Sequence, residues 1–347
     1  MRPGRIGSTG VSALVDAEPV IHARGLARTF RKRKQEVHAV VGVDLDVAAG
    51  EIVGFLGPNG AGKTTTLRML TTLLEPTSGT ATVAGCDLIS DPVGVRRRIG
   101  YVSQSGSTAP EARAGEEVVD HARLYGMSTA DATERGKQLF RELDLDGLWE
   151  RQPKTLSGGQ RRRLDIAVGL IHIPELVFLD EPTTGLDPQA RANLWTHIRA
   201  LREERGTTVF LTTHYLDEAD ALCDRILVID HGAIVASGTP DELKSQVGGD
   251  VLTVTVERLD QVGDVAALVG ALPGAEQPQV VDQRVVGRVP HGGAALVELV
   301  RGLDRAGIVV RGIESRRPSL DDVFLGLTGR SLREAEAAPP VTEKVTV

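Results

Sequence analysis

Cysteine is nearly absent: the 347 residues hold 2, Cys86 and Cys223, far apart and in no CxxC spacing. This excludes a disulfide scaffold and a cysteine-rich zinc centre, and it fits a reducing compartment. Aromatic residues make up only 3% of the chain, so the core has to be aliphatic. Long apolar runs are missing too. The longest, such as 176–179 and 226–229, are strand-sized and fall short of the roughly 18 residues that a membrane helix needs. The chain is therefore not expected to cross a membrane by itself. Arg2 and Arg5 open the sequence, but the stretch 11–15 is broken by Ser12 and soon meets Asp16 and Glu18, so no signal peptide is expected. A basic excess is also lacking. The 40 Lys+Arg stand against 47 Asp+Glu, a net charge of −7, which argues against nucleic acid as the main partner.

What is present reads as a soluble globular protein of about two domains. Residues 1–18 and 331–347 have little apolar pattern and read as disordered tails. Between them, 19–247 has an α/β rhythm. Val43, Leu45 and Val47 alternate with Asp44 and Asp46, as in a half-buried strand. Residues 52–56, 176–179 and 209–213 are short apolar runs suited to strands buried on both faces. Asp187-Pro188 predicts a helix start, and Gly206 its stop. Thr239-Pro240-Asp241-Glu242 predicts a capping box that opens the last helix of this block. Gly248-Gly249 then reads as a linker. Residues 250–330 follow a βαββαβ order, which predicts a small ferredoxin-like α+β domain. Ser319 caps a closing helix with Leu320, Val323, Phe324 and Leu327 on one face. That stripe suits docking on a second subunit, and the block is expected to fold largely apart from the first.

Three segments carry chemistry. Gly57-Pro58-Asn59-Gly60-Ala61-Gly62-Lys63-Thr64 fits GxxxxGK[ST] and sits between a buried strand and a helix. The loop backbone can turn its N–H groups toward phosphates, Lys63 supplies charge to the β/γ-phosphates, and the Thr64 hydroxyl can ligate Mg²⁺. Asp180 and Glu181 follow the apolar run 176–179, at the strand end where ligands sit in open α/β sheets. Asp180 suits Mg²⁺ and Glu181 suits a general base; the bland reading is that the pair caps the next helix. Leu156-Ser157-Gly158-Gly159-Gln160 is by itself a serine N-cap, and a serine-glycine turn opening a helix is also an anion site.

Taken in this order, the three segments make the chain resemble the ATP-binding subunits of ABC transporters, whose signature is LSGGQ. The resemblance covers about 20–247. It implies a P-loop NTPase cassette with a RecA-like core, an antiparallel β subdomain and a helical subdomain. It implies ATP and Mg²⁺, the nucleotide being held by 57–64 and Thr65. Ser157, Gly158, Gly159 and Gln160 would bind the γ-phosphate of ATP held by the opposite subunit. Gln104 matches the glutamine that contacts Mg²⁺ with Thr64 and Asp180, Asp187 matches the dimer-interface aspartate, and His214 matches the switch histidine on the γ-phosphate. Phe30 matches the aromatic that stacks on adenine; lone Phe and His residues are otherwise mostly structural. Within 318–329, Pro318-Ser319-Leu320-Asp321-Asp322-Val323-Phe324-Leu325 is similar to the C-terminal motif of daunorubicin-resistance type ATPases.

The expectation is an ATP-hydrolysing subunit of an exporter of drug-like or other hydrophobic molecules. It would act as a head-to-tail homodimer, peripheral on the cytoplasmic face of the membrane, with a separate multi-helix permease. The alternative is a soluble ABC ATPase in translation or DNA repair, though the second cassette or long coiled coil usual there is lacking. A nucleotide-binding module without turnover is disfavoured by Asp180, Glu181 and His214. The basic runs 31–34, 96–98 and 161–163 read either as solvated surface or as attraction to an anionic leaflet.

Overall fold

The computed structural model describes residues 18–32, 35–106 and 108–329. Of the expected tails, 1–18 and 331–347, all but residue 18 lies outside the described residues. Among the described residues the strands form three sheets. A four-stranded antiparallel sheet has the order Gln35–Val47, Ile21–Lys32, Ser78–Val83, Cys86–Asp87. A six-stranded sheet runs Ala233–Gly238, Arg225–Asp230, Ile52–Leu56, Thr208–Thr213, Leu176–Asp180, Ile99–Val102. The third has the order Gln279–Val281, Arg284–Val289, Asp250–Val256, Val310–Arg316.

The chain divides into two compact units. One is drawn from Met1–Val53, Gly62–Thr212 and His231–Ala233, the other from Gly54–Ala61, Thr213–Asp230 and Ile234–Val347. In the first unit the expected alternation holds. Val43, Leu45 and Val47 are buried, while Asp44 and Asp46 are exposed or half-exposed and bonded to Gly25 and Arg24. Every residue of Leu176–Asp180 is buried, and this strand runs parallel to both Ile99–Val102 and Thr208–Thr213. Parallel strands buried on both faces have no polar side chains to spare, so the carboxylates appear at their carboxyl ends. The helix Pro188–Arg205 begins with the Asp187 carboxylate accepting from Ala190 N (2.9 Å) and stops at Gly206, φ 65°. The helix Gly158–Leu170 is buried along most of its length.

The second unit contains the βαββαβ arrangement expected from the sequence, with antiparallel pairs throughout the third sheet. Leu252, Val254 and Val256 face the helices Val262–Gly270 and Gly292–Ala306 across an aliphatic core that also holds Val265, Val269, Leu299 and Leu303. Gly249 sits at φ 57° where an added Cβ would lie 2.4 Å from the Val289 carbonyl oxygen, so no other residue fits this junction. The closing helix Leu320–Thr328 departs from the expectation. Leu320, Val323 and Phe324 are buried within this chain, where the helix packs on Pro240–Gln246 and Leu216–Leu222. Of the stripe only Leu327 stays exposed, at 41%. An amphipathic stripe shows that a helix has a partner surface but not which one. Asp322 fixes the start of the helix. It accepts from Arg316 (2.6 Å) and from Ser319 N and Oγ (2.8 and 2.7 Å).

Candidate active site

The loop 57–62 joins a buried strand to a helix. Gly57 N donates to the Thr213 carbonyl (3.3 Å), and a Cβ on Gly57 would lie 2.3 Å from the Ile229 carbonyl oxygen, so the backbone runs hard against its neighbour. Gly62, at φ 107°, starts the helix Lys63–Leu70, and no side chain caps that end. A helix start of this kind, with its dipole and backbone N–H groups, suits an anion.

In the first unit Lys63, Thr64, Gln104, Asp180 and Glu181 come together. Lys63 is 4% exposed, and its Nζ lies 3.5 Å from Glu181 Oε1. Thr64 Oγ1 donates to Asp180 Oδ1 (3.2 Å), which also accepts from Thr212 Oγ1 (2.7 Å). Glu181 Oε2 accepts from Gln104 Nε2 (2.8 Å) and Thr184 Oγ1 (3.1 Å). Glu181 has φ 44°, a left-handed backbone that costs a non-glycine residue on the order of 1 kcal/mol or more. Its N–H is bonded to the Thr212 carbonyl (3.1 Å) and hydroxyl (3.0 Å), which offsets that cost. The carboxylate is therefore aimed by donors from three segments. Asp180 also acts at a distance: burial pushes the Tyr101 phenol up, and the Asp180 charge adds to the rise.

The oxygen set formed by the Thr64 hydroxyl and Asp180 carboxylate, with the Gln104 amide beside Glu181, suits a hard divalent cation. Among the described residues no three His, Cys, Asp or Glu side chains make a metal site of their own. A bound Mg²⁺ would draw its remaining oxygens from phosphate and water.

The other expected residues have their own settings. Ser157 and Gly158 are exposed, and Ser157 caps the helix Gly158–Leu170. Its Oγ accepts from Gln160 N (3.2 Å), and Gln160 Oε1 accepts from Ser157 N (3.0 Å). Asp187 is exposed at its helix start. His214 directly follows the strand Thr208–Thr213 and is half-buried, its ring 4.1 Å from that of Tyr215. Phe30 is half-exposed, and the Arg28 guanidinium covers its ring at 4.9 Å while donating to the Glu75 carbonyl (2.7 Å). Sequence reasoning missed Thr212, Thr184 and Arg162, all bonded to the Asp180–Thr184 segment. The Thr212-Thr213 pair that closes an apolar strand ahead of His214 was the available signal for Thr212.

Comparison with known proteins places these residues in context. Residues 40–184 match the ABC transporter family model, and residues 238–328 match the C-terminal domain of the DrrA1-3-like ATP-binding proteins. The chain is 45% identical to the daunorubicin/doxorubicin resistance ATP-binding protein of Streptomyces peucetius, over 91% of this chain and 96% of the relative. It is 39% identical to a Nod factor export ATP-binding protein of Cupriavidus metallidurans, over 88% and 98%. Among solved structures, a dimeric ATP-binding cassette in a post-hydrolysis state with ADP and Pi superposes with a TM-score of 0.59 at 26% identity, covering 63% of this chain and 98% of that one.

Proposed function

Since this chain belongs to the ATP-binding subunits of ABC transporters, which hydrolyse ATP to drive transport, we propose that it powers efflux of drug-like or other hydrophobic molecules through a separate membrane permease. The relatives' names support this cargo class: one refers to daunorubicin and doxorubicin resistance, another to Nod factor export. Relatives so alike yet named for different cargoes support a binding path in the permease. The proposed place is peripheral, on the cytoplasmic face of the membrane beside the permease; among the described residues no helix is long and apolar enough to cross a membrane. The proposed division is a cassette over 19–247 and an accessory domain over 250–330.

The observation that carries the mechanism is the Glu181 carboxylate, held by Lys63, Gln104 and Thr184 at the end of a buried strand. In this reading Glu181 takes a proton from water as the water oxygen bonds to the γ-phosphorus. The bond from phosphorus to the β–γ bridging oxygen breaks, and its electron pair leaves with ADP. Lys63 and the amides of 57–64 and Thr65 hold the phosphates. Phe30 stacks on adenine, and His214 contacts the γ-phosphate. Thr64, Asp180 and Gln104 would hold Mg²⁺, which supplies charge neutralisation to the phosphates. Ser157, Gly158, Gly159 and Gln160 act on ATP held by a second copy, with Asp187 at the interface of a head-to-tail homodimer. Most of the rate enhancement then comes from positioning and charge.

Glu181→Gln tests this. The amide keeps the shape but takes no proton, so turnover should fall by about 100-fold or more while ATP still binds. ATP hydrolysis by the purified variant near the wild-type rate would show that Glu181 is not the base.

A further inference from the structure

The run Arg161-Arg162-Arg163 looks like a charged surface, but its middle member is not on the surface. Arg162 is 7% exposed. Its neighbours behave differently: Arg161 Nε donates to the Pro153 carbonyl (3.2 Å) and Arg163 Nη1 to the Leu143 carbonyl (3.0 Å). Arg162 uses all three of its nitrogens on backbone carbonyls around the catalytic pair. Nε donates to Pro182 O (2.9 Å), Nη2 to Asp180 O (2.9 Å) and Nη1 to Ser103 O (2.5 Å). Two of these acceptors flank Glu181. The third belongs to the residue before Gln104, whose amide bonds the Glu181 carboxylate.

One planar guanidinium thus joins the helix capped by Ser157 to both segments that make the Gln104–Glu181 hydrogen bond. The geometry needs a fork. A lysine ammonium is a point donor on a flexible stem and does not reproduce three bonds in one plane. The left-handed backbone at Glu181 makes the clamp more consequential, because this turn sets the direction of the carboxylate and the carbonyls of both neighbouring residues, Asp180 and Pro182, are tied to Arg162.

We propose that Arg162 is a positioning residue for hydrolysis: by clamping the carbonyls of Ser103, Asp180 and Pro182 it sets the Gln104–Glu181 pair relative to the helix that carries Ser157. The assignment rests on Glu181 and Gln104 acting in the reaction. It makes the hydrolytic geometry depend on where the Ser157 helix stands, separately from the hold of Lys63 on nucleotide.

The test uses the full-length chain as Arg162→Met, Arg162→Lys, Gln104→Ala and the Arg162→Met/Gln104→Ala double variant. Four quantities are read: ATP affinity with Mg²⁺ present, kcat, KM and Tm. Arg162→Met should lower kcat by about tenfold or more and leave ATP affinity and KM within about threefold. Arg162→Lys should fall between Met and wild type. Because Arg162 acts through the Gln104–Glu181 pair, the double variant should be no more than about threefold slower than its slower parent. Full kcat in a folded Arg162→Met overturns the proposal, and so do parallel losses of affinity and kcat, or single effects that multiply in the double variant. If Arg162→Met fails to fold, Arg162→Lys carries the test: reduced kcat at unchanged affinity supports the clamp, and wild-type kcat overturns it. The base assignment fails separately, through turnover by Glu181→Gln, and that result leaves the Arg162–Gln104 coupling to be judged on its own numbers.

Discussion

Glu181 and Thr212 show how much of the site hangs on single hydrogen bonds. The Thr212 hydroxyl donates to the Asp180 carboxylate and accepts from the Glu181 N–H, both buried. Thr212→Val keeps the volume and leaves both partners short of a bond, so we expect a loss of about 1–3 kcal/mol in stability, measured by chemical denaturation. Kinetics should show a lower kcat as well, since the Glu181 turn loses one of its two N–H acceptors. The phosphate loop, Asp180 and Glu181 were legible in the sequence because each is a short pattern whose spacing is itself the mechanism. Arg162 was not legible as a site residue, for a geometric reason. Successive helix residues point about 100° apart, so three arginines in a row face three directions and cannot share one surface. On a helix buried along most of its length, one of them must turn inward.

The closing helix makes the same point for elements. Its start, cap and apolar face could be read from Ser319 onward, and the Ser319–Asp322 capping box is present in the structure. Its docking surface, the helices Leu216–Leu222 and Pro240–Gln246, is distant in sequence and left no local signal. Phe324 is 1% exposed there, so Phe324→Ala should cost about 3–5 kcal/mol, read as a shift in the denaturation midpoint at unchanged m. Asp322 gives this contact a pH dependence. Burial alone would raise its pKa, but the bonds from Arg316 and Ser319 outweigh that and hold the carboxyl down at about 2. A depressed carboxyl contributes stability above its unfolded pKa, near ~3.9, and loses it as pH falls through the folded value. Wild type should therefore exceed Asp322→Asn by about 1–2 kcal/mol near neutral pH, allowing for solvent screening of the half-exposed Arg316. The gap should narrow steadily below about pH 4. A gap that stays constant down to pH 3 would mean that the ionised carboxylate is not what secures the helix.

For the whole molecule, the ferredoxin-like order of 250–330 could be read from strand alternation and turn residues. Pairing between copies was legible only through the resemblance, because a signature that acts on another chain's nucleotide leaves no contact within its own. Ser157 illustrates this: inside one chain it is only a helix cap. The central claim is that ATP is hydrolysed between two copies, with Lys63 of one facing Ser157 of the other. The direct measurement is ATP hydrolysis on mixing two inactive full-length variants, Lys63→Ala and Ser157→Arg. In a mixed dimer one site carries both defects and the other carries neither. The account predicts that activity absent from each variant alone returns in part on mixing, rising with the fraction of mixed dimers. Mixed dimers that form and remain inactive would contradict it.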